Sequence, residues 1–186
     1  MTDTHTKPSL VGRRVTLRAA KAGDEEYLVS AGRHAEIVKM YGEDNPKDGP
    51  VLQAEADAFL NLQLKSRFAW VIEHEDALIG SLSFHSVDRV DQRAMMAIGL
   101  FSPDNFNKGL GSEAMSLVLG HAFSAMNLHR VSLRVLHFKA RAIAAYQKLG
   151  FVIEGRERQS ARIGSEWHDD IIMGLLAPEF NQKRAV

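Results

Sequence analysis

Apolar positions along this chain recur at two different spacings, and each change of spacing marks an element. Val15 and Leu17 alternate with Arg14, Thr16 and Arg18, the pattern of a half-buried strand. Asp24 stands where it can cap a following helix, with Glu25 and Glu26 suited to the first turn. Leu52, Ala56, Phe59, Leu60 and Leu64 recur at helical spacing and predict a second, amphipathic helix. Between these helices, residues 41–50 crowd proline, glycine and acids, Glu43 and Asp44 among them, and predict a loop. Three strands of a meander follow at 68–73, 78–87 and 92–101. Residues 112–126 carry apolar side chains on most sides, so this helix should be deeply packed, with Asn127 as a left-handed stop. Residues 130–136 are β-branched and leucine-rich, hence a strand. A helix over 140–149 ends at Gly150, and Phe151 takes the hydrophobic position of a Schellman motif. Strands at about 152–158 and 167–176 close the pattern.

This order puts a strand–helix–strand unit, residues 92–136, in the middle, and such a unit is parallel and right-handed. The flanking pieces should be antiparallel. The expected class is α/β, a mixed, mostly antiparallel sheet with a central parallel strand pair and helices on both faces. One domain is expected over 1–186, with its core at about 10–177. The polar ends, 1–7 and 181–186, should fray.

Composition narrows the chemistry. The chain has 186 residues, 45% hydrophobic and 25% charged, enough for one substantial core. Its 23 basic and 23 acidic residues cancel, so neither a general nucleic-acid partner nor a membrane surface is expected. Absence of cysteine excludes disulfides, thiolate catalysis and zinc–thiolate sites. No apolar run reaches transmembrane length and the polar start is no signal peptide, which makes a cytoplasmic location the expectation. Eight histidines raise a metal reading. However, His129 and His137 lie too far apart to chelate one ion, and His168, Asp169 and Asp170 alternate faces on a strand. No histidine pair has the helical spacing of a zinc protease, so no metal is expected. Arg156, Arg158 and Arg162 read as a solvated hairpin, and Trp70 and Trp167 as core or rim packing.

The most informative stretch joins the strand at 95–101 to the helix at 112–126: Asn107-Lys108-Gly109-Leu110-Gly111-Ser112. The first N–H groups of a helix lack internal partners, and the helix dipole adds partial positive charge there. Gly109 and Gly111 remove side chains that would keep a phosphate from the backbone, and Lys108 adds a full charge. A phosphate-bearing ligand is the functional reading, and a plain tight turn is the alternative. Lys108 precedes the glycine, so this is no Walker loop. A third glycine early in a βαβ unit is missing, so it is no dinucleotide fingerprint.

Taken in order, these segments resemble the GNAT superfamily of acetyl-CoA-dependent N-acetyltransferases over about residues 10–176. Within it they look most like the ribosomal-protein N-terminal acetyltransferase branch. Arg14-Val15-Thr16-Leu17-Arg18 followed by Asp24 resembles the branch's opening strand and first helix. Ile98-Gly99-Leu100 resembles the strand that receives the pantetheine arm. Phe106-Asn107-Lys108-Gly109-Leu110-Gly111-Ser112-Glu113-Ala114 resembles the pyrophosphate loop. Residues 142–151 resemble the C-terminal signature, and Asp170-Ile171-Ile172-Met173 the closing strand. Two positions depart from the pattern. Lys139 stands where the family often carries asparagine, and reads either as a contact to a CoA phosphate or as a solvated surface lysine. Asn107 replaces a usual glycine, and asparagine tolerates positive φ better than most residues.

The resemblance implies a GNAT-type sheet and acetyl-CoA (CoA) as co-substrate, without a metal. It implies an amine acceptor, either a protein N-terminus or a small amine such as a polyamine or aminoglycoside, and raises a homodimer as an expectation. Its cofactor-binding residues would be Ile98, Gly99, Leu100, Phe101, Phe106, Asn107, Lys108, Gly109, Leu110, Gly111, Ser112 and Lys139. Tyr146 matches the tyrosine that protonates the leaving thiolate, the catalytic role. Acetyl transfer must hold the cofactor, present a neutral amine and protonate the sulfur. An α-amine titrates near about 8 and a lysine near about 10.4, so an N-terminal acceptor needs less help. Glu36, Glu73 and His85 are candidates for a general base, each equally readable as an exposed or structural side chain, and none is assigned. A CoA-binding module without turnover is the non-enzymatic alternative, against which Tyr146 speaks.

Overall fold

The computed structural model describes residues 7–40 and 47–184, so Glu43 and Asp44 of the predicted loop lie outside the described residues. In chain order the elements are β1 (Leu10–Val11), β2 (Thr16–Arg18), α1 (Asp24–Ala31), α2 (Ala35–Met40), α3 (Gln53–Lys65), β3 (Ala69–His74), β4 (Ala77–Asp88), β5 (Arg93–Leu100), α4 (Leu110–Ser124), β6 (Arg130–Leu136), α5 (Ala140–Leu149), β7 (Val152–Ile163), β8 (Glu166–Leu176) and α6 (Ala177–Arg184). The strands form one sheet in the order β1-β2-β3-β4-β5-β6-β8-β7. All neighbours are antiparallel except β5 and β6, which the α4 crossover makes parallel.

Strand alternation sorts the core. On one face Leu17, Trp70, Ile72, Leu82, Phe84, Ala94 and Met96 join Ala114, Val118 and Ala122 of α4 and continue into Val131, Leu133, Met173 and Leu175. Ala69 and Val71 alternate with these and are equally buried, on the side where α3 packs on β3 and α1 on β4. Over β6, β8 and β7 that second cover ends, and the side chains of Arg130, Arg134, Glu154 and Glu157 stay a third to a half exposed.

Stops with local causes fall where the sequence places them. Asn127 has φ 53° and Gly150 φ 109°. Phe151 N–H donates to Tyr146 C=O at 3.1 Å and Gly150 N–H to Gln147 C=O at 3.0 Å, the two bonds of a Schellman motif.

Other expectations are corrected. Asp24 is not a cap: Gly23, at φ 94°, takes that position without a side-chain bond. The buried Asp24 carboxylate instead receives both terminal nitrogens of Arg18 at 2.9 Å and the Lys21 N–H at 2.9 Å. A guanidinium leaving water needs a charged partner, and that demand outranks capping. The short α2 is an additional helix ahead of β3. α4 starts at Leu110, two residues early, because Gly109 already adopts the left-handed turn at φ 75°. Lys7 is not frayed, since its ammonium donates to the carbonyls of Gln63 and Ala69, both at 2.9 Å. α6 forms over residues expected to fray from 181 onward, and β7 extends to Ile163 through bulges after Ile153 and Glu157.

Candidate active site

β5 and β6 pair only where they begin, Arg93 to Met95 against Arg130 to Ser132. Beyond that the strands part, and a wedge opens toward the starts of α4 and α5. The Gln92 carbonyl accepts from His129 and Arg130 on the β6 side, while Phe101 N–H donates back to Ile79 at 2.9 Å. Amides alternate sides along a strand, so those of Ile98 and Leu100 face the wedge and Gly99 pairs with Ser81 of β4. Phe101 lies one residue past the end of β5. A close backbone approach falls at Gly80, where a Cβ would stand 2.4 Å from the Gly99 carbonyl oxygen.

The link from β5 to α4 is a 3-10 turn over Pro103–Asn105, where the Ser102 hydroxyl accepts from Asp104 N–H at 3.2 Å. Asn107, at φ 59°, and Gly109 are both left-handed, which explains an asparagine and a glycine there. Gly109 caps α4 without a side chain, so the N–H groups of Leu110, Gly111 and Ser112 have no intrahelical acceptor. Leu110 is buried in the core and fixes this end, while Lys108 is exposed beside it. Gly111 differs from expectation. A Cβ there would meet Ile98 and Leu100 at an ordinary 3.8 Å, so it points at β5 and not across the turn.

Arg14 was not foreseen as part of this turn. Its N–H donates to Glu113 Oε1 at 2.8 Å, its Nε to Oε2 at 3.0 Å, and its Nη1 to the Lys108 carbonyl at 2.7 Å. The chain ahead of β2 thus clasps the turn from outside and adds a cation. Desolvation pushes the Glu113 pKa up, but the N–H groups of Arg14 and Arg13 and the Arg14 guanidinium outweigh it and hold the carboxyl below its usual range. The only local signal was an acid in the first turn of α4.

Across the wedge, Tyr146 is half-buried in the last turn of α5, its ring edge toward Phe151 with centroids 6.0 Å apart. Lys139 takes the N-cap of α5 without a side-chain cap bond. Partial burial lowers its pKa, and Asp170 opposes that shift. Arg141 donates to Glu36 Oε1 at 2.6 Å and lies 5.5 Å from the Phe106 ring centroid, linking α2, α5 and the turn. Of the three candidate bases, Glu36 is therefore an ion-pair partner, Glu73 accepts from Arg18 at 3.2 Å, and His85 is exposed on β4. Among the described residues no cluster of three or more histidines and acids could hold a metal, and no helix is long and apolar enough to cross a membrane.

A central parallel pair joined through a glycine-capped helix is the arrangement expected from the resemblance, and comparison with known proteins agrees. Residues 14–152 match the acetyltransferase (GNAT) domain family. The chain belongs to the GNAT family. It is 27% identical over 174 residues to the uncharacterized N-acetyltransferase YoaA of Bacillus subtilis, covering 92% of this chain and 98% of that one. It is 26% identical to the spermidine N(1)-acetyltransferase of Escherichia coli, covering 89% and 88%. RimL, a ribosomal alpha-N-protein acetyltransferase solved in complex with coenzyme A, superposes with a TM-score of 0.76 at 16% identity, covering 91% and 98%. This GNAT protein is an acetyl-CoA-dependent N-acetyltransferase.

Four acids on the closing strands of this acetyltransferase are already engaged. Glu154 pairs with Arg130 and Glu157 with Arg134. The nearly buried Asp170 accepts from Arg134 at 3.1 Å and from the Ser160 hydroxyl at 3.0 Å. Asp169 accepts from Arg156 at 3.0 Å.

Proposed function

We propose that this acetyltransferase modifies the α-amine of a protein or peptide N-terminus. One observation carries the choice: Glu36, Glu154, Glu157, Asp169 and Asp170, the acids nearest the wedge and along the closing strands, each already have an arginine partner. A polyamine brings several positive charges and needs surplus carboxylates to balance them. A chain end brings one charge and an extended backbone, which suits a broad, charge-balanced surface. Its amine also loses its proton more readily than a lysine or polyamine nitrogen.

In this reading acetyl-CoA lies across the wedge. The N–H groups of Leu110, Gly111 and Ser112 hold its diphosphate beside Lys108, in the turn shaped by Asn107 and Gly109 and clasped by Arg14. The amides of Ile98 and Leu100 pair with the pantetheine arm along Gly99, and Phe101 and Phe106 flank it. Lys139 meets a phosphate oxygen, which would favour the charged amine that burial disfavours. The acceptor nitrogen attacks the thioester carbonyl, a C–N bond forms, and the C–S bond breaks. Tyr146 gives its phenolic proton to the leaving thiolate, and the proton that the acylated nitrogen sheds passes to water, from which the phenol is restored. A homodimer is part of the same proposal, and sedimentation velocity reads it directly.

Likeness to the Escherichia coli spermidine enzyme supports a second reading, a small polyamine acceptor. Thiol release from acetyl-CoA, measured with N-terminal peptides, spermidine and an aminoglycoside, separates the two. We expect the best peptide to exceed spermidine in kcat/KM by about tenfold or more. The reverse order would hand the site to polyamines.

A further inference from the structure

The helix that presents the phosphate turn has a second end, and a cavity lies there. α4 spans 15 residues, so at 1.5 Å per residue about 22 Å separates the two ends. The cavity has a volume of about 510 Å³, within the range of small-molecule sites. Phe68, Trp70, Val87 and Leu128 give it apolar walls, and Lys7, Arg67 and Arg89 give it cations, with no aspartate or glutamate among the described residues of the lining. His121 also lines it, edge-on to Trp70 with centroids 5.8 Å apart. Burial lowers the His121 pKa, so the ring is neutral and leaves the charge to the three basic side chains.

Lys7 carries the argument furthest. An ammonium has three donors, and two are engaged by the carbonyls of Gln63 and Ala69. No carboxylate pairs with Lys7 or Arg89 among the described residues. A partly buried cation without a counter-ion is a cost that a bound anion removes. We propose that this cavity binds a small amphipathic carboxylate. Its head is matched by Lys7, Arg67 and Arg89, and its apolar body lies against Phe68, Trp70 and Leu128. This site is separate from acetyl transfer and stands or falls independently of the acceptor.

The test uses octanoate as probe and octanol as its uncharged twin. The chain has two tryptophans, so Trp167→Phe leaves Trp70, in the cavity wall, as the reporter. Octanoate should change its fluorescence saturably, and octanol should bind about tenfold more weakly or worse. Arg89→Ala and Lys7→Met should each weaken octanoate by about tenfold. Arg89 has no partner in the described fold, so Arg89→Ala should leave the thermal midpoint and CoA affinity unchanged, which separates loss of the site from loss of the fold. Equal binding of octanoate and octanol, no saturation by about 10 mM, or unaltered octanoate affinity in both variants would overturn the proposal.

Discussion

The sheet is built differently on the two sides of its wedge. From β1 to β5 both faces are covered, one by α4 and the other by α1 and α3, and the one charge buried deep there among the described residues, Asp24, is locked to Arg18. From β6 to β7 only one face meets the core, and the other carries Arg130, Arg134, Glu154 and Glu157 in half-exposed pairs. Doubly covered strands gain from apolar burial on both sides. Singly covered strands must remain soluble, and opposite charges across neighbouring strands do that at little gain in stability. The outermost strand, β7, is blunted against edge-to-edge pairing by two bulges and by Glu154, Arg156, Glu157, Arg158 and Arg162. The proposed site falls at the seam, where a rigid half meets an open one.

The sharpest way to break this comparison is to remove one acid from each side. Asp24→Ala takes the buried partner from Arg18, whose side chain is only 14% exposed, leaving it Glu73 alone, and should cost about 1.5–3 kcal/mol in urea unfolding. Glu154→Gln, opposite the more exposed Arg130, should cost about 0–1 kcal/mol. Similar losses at both would erase the distinction. At the seam itself, Tyr146→Phe should lower kcat about 100-fold with acetyl-CoA affinity nearly unchanged. Wild-type turnover in that variant would remove Tyr146 from the mechanism.

Arg14→Ala tests whether the rigid half shapes the phosphate turn. Acetyl-CoA should bind about tenfold more weakly while kcat at saturation persists. A drop in melting temperature with no change in affinity would reduce the clasp to a structural tie. Two glycines sharpen the same point. Gly109→Ala forces a side chain into φ 75° and should cost about 1–2 kcal/mol. Gly111→Ala meets only ordinary contacts and should be neutral or stabilising by up to about 1 kcal/mol. Equal destabilisation of the two would contradict the backbone described for the turn.

The smallest effect is on the acid side. Burial holds the His121 pKa below its ordinary 6.5. The unfolded chain therefore binds the proton more readily, so this contribution is complete above about pH 6.5 and is lost as pH falls toward the folded value. Thermal melts of wild type and His121→Leu between about pH 7 and 5 should show a shallower slope in the variant. Parallel curves would dismiss His121 as a source of that dependence.

Legibility followed the range of the interactions. β6 and α5 appear at the bounds read from their patterns, and the Schellman stop needed only Gly150 and Phe151. The turn's left-handed residues were legible too, because φ preference belongs to the residue itself. Asp24 was misread because a cap and a buried ion-pair partner use the same side chain, and only burial of Arg18 decides between them. Arg14 and Glu113 are 99 residues apart, Glu36 and Arg141 are 105 apart, and no local spacing announces such pairs. The need for glycine at Gly80 was not legible, because the crowding there arises between strands.

By itself the order of amino acids determined most elements, their stops and a glycine-capped turn with unpaired helix amides, since periodicity, dihedral preference and helix-end amides act within a few residues. Only the tertiary structure decided where β5 leaves β6, which amides face the gap, which acids stay unavailable to a cationic acceptor, and that a basic cavity lies at the far end of α4. Those outcomes depend on register and burial between distant segments, and such contacts take their energies from the assembled sheet, not from the neighbours along the chain.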